Sequence, residues 1–257
     1  SGASNWTKDA FLVNFEDTVV VESRELAQKY TDLLNEMAQE FTAYQEEASV
    51  ENAQSLPNHF PDDVKTFKTH FGHVETLEDL AAPPPKTFRD VISVCSYFAP
   101  KERGVEATLR LLENAASHVS VGMFFISSDL MIDGLSRIAE KKLIGIDMIL
   151  GGELLASATV QGYDKMARSG VELFYEKMKG LMHLKSTVID GKLVATGSSN
   201  WSEDAMDLNF EDVLVFDSPA IAAYYQEYLN NIRRYCDKYL PLTVTSTHDE
   251  AAKEKLL

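Results

Sequence analysis

Met182-His183-Leu184-Lys185-Ser186-Thr187-Val188-Ile189-Asp190 is the stretch on which the reading of this chain turns, and it has the form H-x-K-x4-D. Seven residues further on comes Gly197-Ser198-Ser199-Asn200-Trp201, and after that Asn209-Phe210-Glu211-Asp212. The run from Lys185 to Asp190 is strand-like, and Asp190-Gly191 is a tight-turn pair that returns the chain along 193–196 as a hairpin. Side chains alternate along a strand, so His183 and Lys185, two apart, point to one side while Leu184 points to the core. A lone histidine in a strand is usually structural. A lysine, an amide and a carboxylate at these spacings set this one apart.

Working outward, the same residues occur twice. Residues 1–23 match 196–218 at a constant offset of 195 with about half the positions identical, so that Asn5 pairs with Asn200, Trp6 with Trp201 and Glu16 with Glu211. Such self-similarity marks a repeated structural unit. Beyond it, Ser218-Pro219 reads as a helix cap with proline in the first turn. Ile221, Tyr225, Tyr228, Leu229 and Ile232 form a helical apolar stripe, and Ser23 with Leu26, Tyr30, Leu33, Leu34 and Met37 repeats it. Residues 1–46 therefore read as the end of a first copy whose histidine and lysine are absent. The opening inside a motif, at Ser1, marks the chain as a fragment or processed piece.

Residues 47–86 change character: Pro57, Pro61 and Pro83-Pro84-Pro85 interrupt an acidic stretch that reads as a linker or insertion. His70 and His73 within it have no further ligand cluster nearby and read as loop residues. From 87 to 240 strand and helix alternate: strands at 91–98, 119–126, 143–150 and 171–175, helices at 103–117, 128–141 and 154–169. Apolar strand runs of this kind predict an α/β sheet covered by helices on both faces. The hairpin makes that sheet mixed. The expected architecture is one complete unit, 87–240, plus a partial pseudo-symmetric repeat, with 241–257 as a frayed tail.

The 257-residue chain is 45% hydrophobic, enough for a large core, and carries a formal net charge of −16. Such a charge disfavours nucleic acid unless a basic groove is cut locally. Cys95 and Cys236 sit in apolar patterns and are expected buried as free thiols. No run of eighteen apolar residues occurs, and the compartment is left open.

The chemistry of the motif suits a phosphodiester. Lys185 can neutralise a phosphate oxygen, Asn200 can donate its amide to the same group, and Glu211 can accept from the far nitrogen of His183 and fix its tautomer. Asp190, closing a strand, is better suited to a structural or salt-bridge role than to substrate. The set His183, Lys185, Asp190, Gly197, Ser198 and Asn200 resembles the HKD motif of the phospholipase D superfamily, over 87–236 as one full unit and 1–46 as the end of another. That resemblance implies a mixed-sheet fold in which two units, in one chain or a homodimer, bring their motifs together at one site. One histidine forms a phosphohistidine and the other protonates the leaving alcohol, with neither metal nor cofactor. His183, Lys185, Asp190 and Glu211 would form the catalytic set. Lys185, Asn200, Ser198 and Asn5 would hold phosphate, and Glu16 would orient the absent histidine of the first copy. Ala3, standing where the pattern has serine, departs from it.

Three functions compete: a phosphodiesterase or phosphatidyltransferase meeting phospholipid at a membrane surface, a nuclease of the same superfamily, and an inactive scaffold. The acidic charge and the lack of a basic, aromatic-interleaved stripe weigh against nucleic acid, and the intact second motif against the scaffold. The homodimer, or a preceding half, is the partner that completes the site. Phe124, Phe125, Tyr163, Phe174, Tyr175 and Met178 are candidates for an apolar mouth or, more commonly, for core, and Gly180-Leu181-Met182 for substrate contact.

Overall fold

The computed structural model describes residues 1–5, 14–47, 87–89, 91–142, 144–151, 160–177 and 180–241. Trp6, the linker 48–86 with His70 and His73, the start of the 154–169 helix, Met178 and the tail from 242 lie outside these residues. The chain divides into two compact units, Ser1–Val19 with His70–Leu257, and Val20–Thr69. The second contains helix α1, Arg24–Glu47, whose first turn is capped by Ser23 Oγ accepting from Leu26 N at 3.1 Å.

The larger unit alternates as the apolar runs require. Its elements are β1 Ser93–Phe98, α2 Gly104–Glu113, β2 His118–Met123, α3 Asp129–Lys142, β3 Gly145–Leu150, α4 Val160–Arg168 and β4 Glu172–Glu176, followed by β5 Lys185–Ile189, β6 Leu193–Gly197, α5 Glu203–Asp207, β7 Asp212–Asp217, α6 Pro219–Arg233 and β8 Cys236–Lys238. One sheet holds all eight strands in the order β1-β7-β6-β5-β2-β3-β4-β8. Only β2/β3 and β3/β4 pair in parallel, so the sheet is mixed.

Period-two alternation distributes the core. Val119, Val121 and Met123 of β2, with Ile146, Met148 and Leu150 of β3, pack with Leu109, Leu112, Met131 and Leu135 of α2 and α3. On the opposite face α6 crosses β6, β5 and β2, burying Ile221, Tyr225, Tyr228, Leu229 and Ile232, the stripe expected from its spacing. Ser218 caps it, accepting from Ile221 N at 3.2 Å. The β5–β6 hairpin turns on Asp190 (φ 54°) and Gly191 (φ 62°), the pair of positive φ values that a type I′ turn needs.

The cysteines depart from expectation: Cys95 is exposed and Cys236 half-buried. Cys95 lies on β1, an edge strand whose side chains are far less covered than those of central β5. The 91–98 run reads as a buried strand, and a run of that length does not tell an edge from a centre.

Candidate functional site

The site is assembled where the first-repeat segment meets the strand leading into β5. Phe15 N donates to Leu181 O at 2.8 Å and His183 N to Phe15 O at 3.0 Å, a parallel bridge that runs 14–16 alongside 181–183. Asn14 reinforces it, its Oδ1 accepting from Leu181 N at 3.1 Å. Phe15 is 1% exposed and Met182 fully buried. Leu181 and Met182 are thus occupied in pairing and packing, and the substrate contact expected of them is not available to the buried Met182 side chain.

This pairing sets Glu16 beside His183. Glu16 is fully buried, and its Oε2 lies 2.8 Å from His183 Nδ1. Ala3 O stands 3.1 Å from the same nitrogen, and Asn14 Nδ2 donates to Glu16 Oε1 at 3.2 Å. A carboxylate and a carbonyl only accept, so the Nδ1 proton is directed at them and the lone pair is left on Nε2. Nε2 faces Lys185 Nζ at 3.0 Å, and that ammonium also donates to His183 O at 2.8 Å. The expected shared side of His183 and Lys185 is present in that contact.

Lys185 is 6% exposed and lies 5.4 Å from the centre of the Phe124 ring, which also tilts against the His183 imidazole at 4.9 Å. Burial lowers the Lys185 pKa to about 8, while the carboxylates of Glu16, Asp17 and Glu211 act the other way. A cation held in so dry a place is a strong attractor for a phosphate oxygen.

Glu211 is not where the spacing suggested. It was expected to take the far nitrogen of His183; instead its Oε2 accepts from Ser198 Oγ and its Oε1 from Asn209 Nδ2 at 3.1 Å. The reason is a crossing: the carboxylate of one copy serves the histidine of the other, because the segment carrying Glu16 pairs with the strand carrying His183. Asp190 stands at the hairpin turn, away from this group, and its carboxylate accepts from the backbone N–H groups of Ala116, Ser117 and His118 and from Ser117 Oγ. Burial opposes its ionisation, but these donors outweigh it and hold its pKa down to about 2. Asn200 keeps a buried Oδ1 with no hydrogen-bond partner among the described residues, and Asn5 is exposed. Of the aromatic candidates, Phe124 is the ring in contact with His183 and Lys185, while Tyr163 is fully buried, Phe174 is packed under Arg233, and Phe125 and Tyr175 are half-buried.

One participant was not singled out from sequence. Asp17, fully buried, accepts from Ala3 N at 2.9 Å, Thr196 Oγ1 at 2.6 Å and Tyr225 OH at 2.7 Å. Its match to Asp212 in the repeat was the available signal. Among the described residues no three His, Cys, Asp or Glu side chains are grouped to hold a metal ion, and no helix is long and apolar enough to cross a membrane.

A family model described as the PLD-like domain of cardiolipin synthase matches residues 108–233. The mitochondrial cardiolipin hydrolase of Xenopus laevis is 36% identical over 75 residues, 29% of this chain and 34% of that protein. That of Chlamydomonas reinhardtii is 27% identical over 125 residues, 48% of this chain and 55% of that one. The human one is 26% identical over 173 residues, 67% of each. The match to the first two thus spans about a third to a half of their length. Two solved structures share the fold. One is Nuc, a phospholipase D family member from Salmonella typhimurium, with TM-score 0.55 and 19% identity, covering 57% of this chain and 97% of that one. The other is NucT from Helicobacter pylori, with TM-score 0.52 and 21% identity, covering 57% and 99%. With its motif, its sheet and these relatives taken together, the chain belongs to the phospholipase D superfamily.

Proposed function

We propose that this protein is a phospholipase D-type phosphodiesterase that cleaves phospholipids through a phosphohistidine. The observation that carries the reading is His183, held at Nδ1 by Glu16 with Nε2 turned to Lys185. Nε2 attacks phosphorus while Lys185 and Asn200 take the non-bridging oxygens. The bond to the leaving alcohol breaks and a second imidazole supplies that oxygen with its proton. Water, giving a proton back to the second imidazole, then attacks the phosphohistidine and frees His183; an acceptor alcohol in place of water yields transphosphatidylation. General acid–base help of this kind is worth roughly 10²–10⁴-fold.

The sequence holds one His-x-Lys, so the second imidazole comes from another unit, either a preceding copy or a second molecule. Glu211, the counterpart of Glu16, is the carboxylate that would orient it. Binding the substrate in the opposite sense exchanges the parts of the two histidines. A lipid substrate is supported by the relatives, which are named for cardiolipin, and by the exposed Leu208 and Phe210 close in sequence to Glu211.

The test is turnover of phosphatidylcholine vesicles, cardiolipin vesicles and single-stranded DNA by the full-length protein and by His183→Ala. Lipid cleavage abolished by the substitution is the expected result. DNA cleavage without lipid turnover would move the assignment to a nuclease, and activity unchanged in His183→Ala would remove the mechanism.

A further inference from the structure

We propose that Asp17 is a positioning residue, whose buried carboxylate, clamped by Tyr225 and Thr196, sets the Glu16 carboxylate against His183. Consecutive residues of an extended segment face opposite ways. Glu16 turns into the site and Asp17 turns away from it, toward the hydroxyls of Thr196 on β6 and Tyr225 on α6. Thr196 and Tyr225 are both buried, on an interior strand of the sheet and on the helix packed against it.

The clamp reaches the imidazole by two short routes. The first is the peptide joining Asp17 to Glu16. The second runs through Ala3, which gives its N–H to Asp17 at 2.9 Å and offers its carbonyl to His183 Nδ1 at 3.1 Å. Both acceptors of the Nδ1 proton therefore depend on where Asp17 is held. Asp17 is 0% exposed, and an ionised carboxylate so placed requires its donors. Burial, and then Asp17 itself, push the Tyr225 phenol well above its ordinary range, so the hydroxyl keeps its proton and donates. At the repeat offset of 195 the same chemistry recurs in the sequence: Asp212 for Asp17, Ser1 for Thr196 and Tyr30 for Tyr225.

The kinetic arm of the test rests on the phosphodiesterase reading above; the spectroscopic arm does not. Tyr225→Phe and Thr196→Val each remove one donor and keep the shape, and each is made alone and with Glu16→Gln in the full chain. The ¹⁵N shifts of the His183 imidazole report its tautomer: wild type is expected Nδ1-protonated, and each single variant displaced toward a mixture. On a phosphodiester, kcat should fall about 10-fold in Tyr225→Phe with KM within about 2-fold, the size of effect that a misplaced reacting group produces. Tyr225→Phe should have a smaller effect in the Glu16→Gln background than alone, the route through Ala3 being the part that remains.

A wild-type tautomer in both hydroxyl variants, or effects of Tyr225→Phe and Glu16→Gln that multiply, would overturn the proposal. If Tyr225→Phe does not fold, Thr196→Val decides. If wild type turns over no diester, the function reading fails, and the tautomer shift alone still decides this one.

Discussion

Asn14-Phe15-Glu16-Asp17 and Asn209-Phe210-Glu211-Asp212 are the same four residues in two situations. Locally they agree. Asn14 donates to Glu16 as Asn209 does to Glu211, at 3.2 and 3.1 Å. Ala3 N donates to Asp17 O and Ser198 N to Asp212 O, at 3.1 and 3.0 Å. A Cβ on Gly2 would meet Asp17 O at 2.4 Å and one on Gly197 would meet Asp212 O at 2.0 Å, so the glycine of each copy is required by the same close approach. They diverge in what lies opposite. Phe15 is 1% exposed and Glu16 holds a histidine; Phe210 is 43% exposed and Glu211 holds Ser198. The motif is thus a local scaffold, and its function depends on the strand brought against it.

The largest test of that difference is at the carboxylates. Glu16→Gln should lower kcat by about 10²–10⁴-fold, the range for losing the group that fixes a catalytic imidazole, and should release the His183 tautomer in ¹⁵N spectra. Glu211→Gln should leave that tautomer as it is. If Glu211→Gln displaced it and Glu16→Gln did not, the crossing would be wrong.

The two phenylalanines come next. Phe15→Ala should destabilise by about 3–5 kcal/mol, as for a fully buried aromatic, and Phe210→Ala by under about 1 kcal/mol. Urea unfolding midpoints measure both, and equal losses would break the contrast.

The third effect is on pH dependence. Burial sets the Lys185 pKa at about 8, so the cation needed for phosphate is present below that pH and lost above it. kcat/KM should therefore fall on the alkaline side with an apparent pKa near 8, a limb that reports the free enzyme. Bound phosphate stabilises the ammonium, so the limb in kcat should lie higher. Lys185→Arg should remove the component of the alkaline limb near pH 8 at reduced kcat, since a guanidinium does not titrate there, and leave the limb set by the proton-donating second imidazole.

The last test is at Asp190, outside the catalytic group. Asp190→Ala should cost about 1–2 kcal/mol, the usual range for a carboxylate serving several backbone donors, with kcat of the folded fraction kept. Its native pKa, held at about 2, lies below the ordinary 3.8, so its contribution is present above about pH 4 and fades as pH falls toward 2. Unfolding midpoints between pH 2 and 5 would register the loss.

The apolar runs, the 195-residue offset, the Asp190-Gly191 turn and the shared side of His183 and Lys185 could all be read from the amino acids, because each is a matter of period or adjacency. Period also placed the α6 stripe and the Ser218 cap correctly. It was silent on whether β1 lies at the edge of the sheet, and Cys95 was misjudged for that reason. Which carboxylate reaches His183 was decided only in three dimensions. Glu16 stands 167 positions from His183 and Glu211 only 28, and proximity along the chain favours the wrong one. The backbone bridge between 14–16 and 181–183 overrides it, since hydrogen-bonded strands set neighbours by register rather than by separation in sequence. The Asp17 clamp was hidden for the same reason: a carboxylate and two hydroxyls about 180 and 208 positions away become one buried network only when sheet, helix and first-repeat segment are packed together.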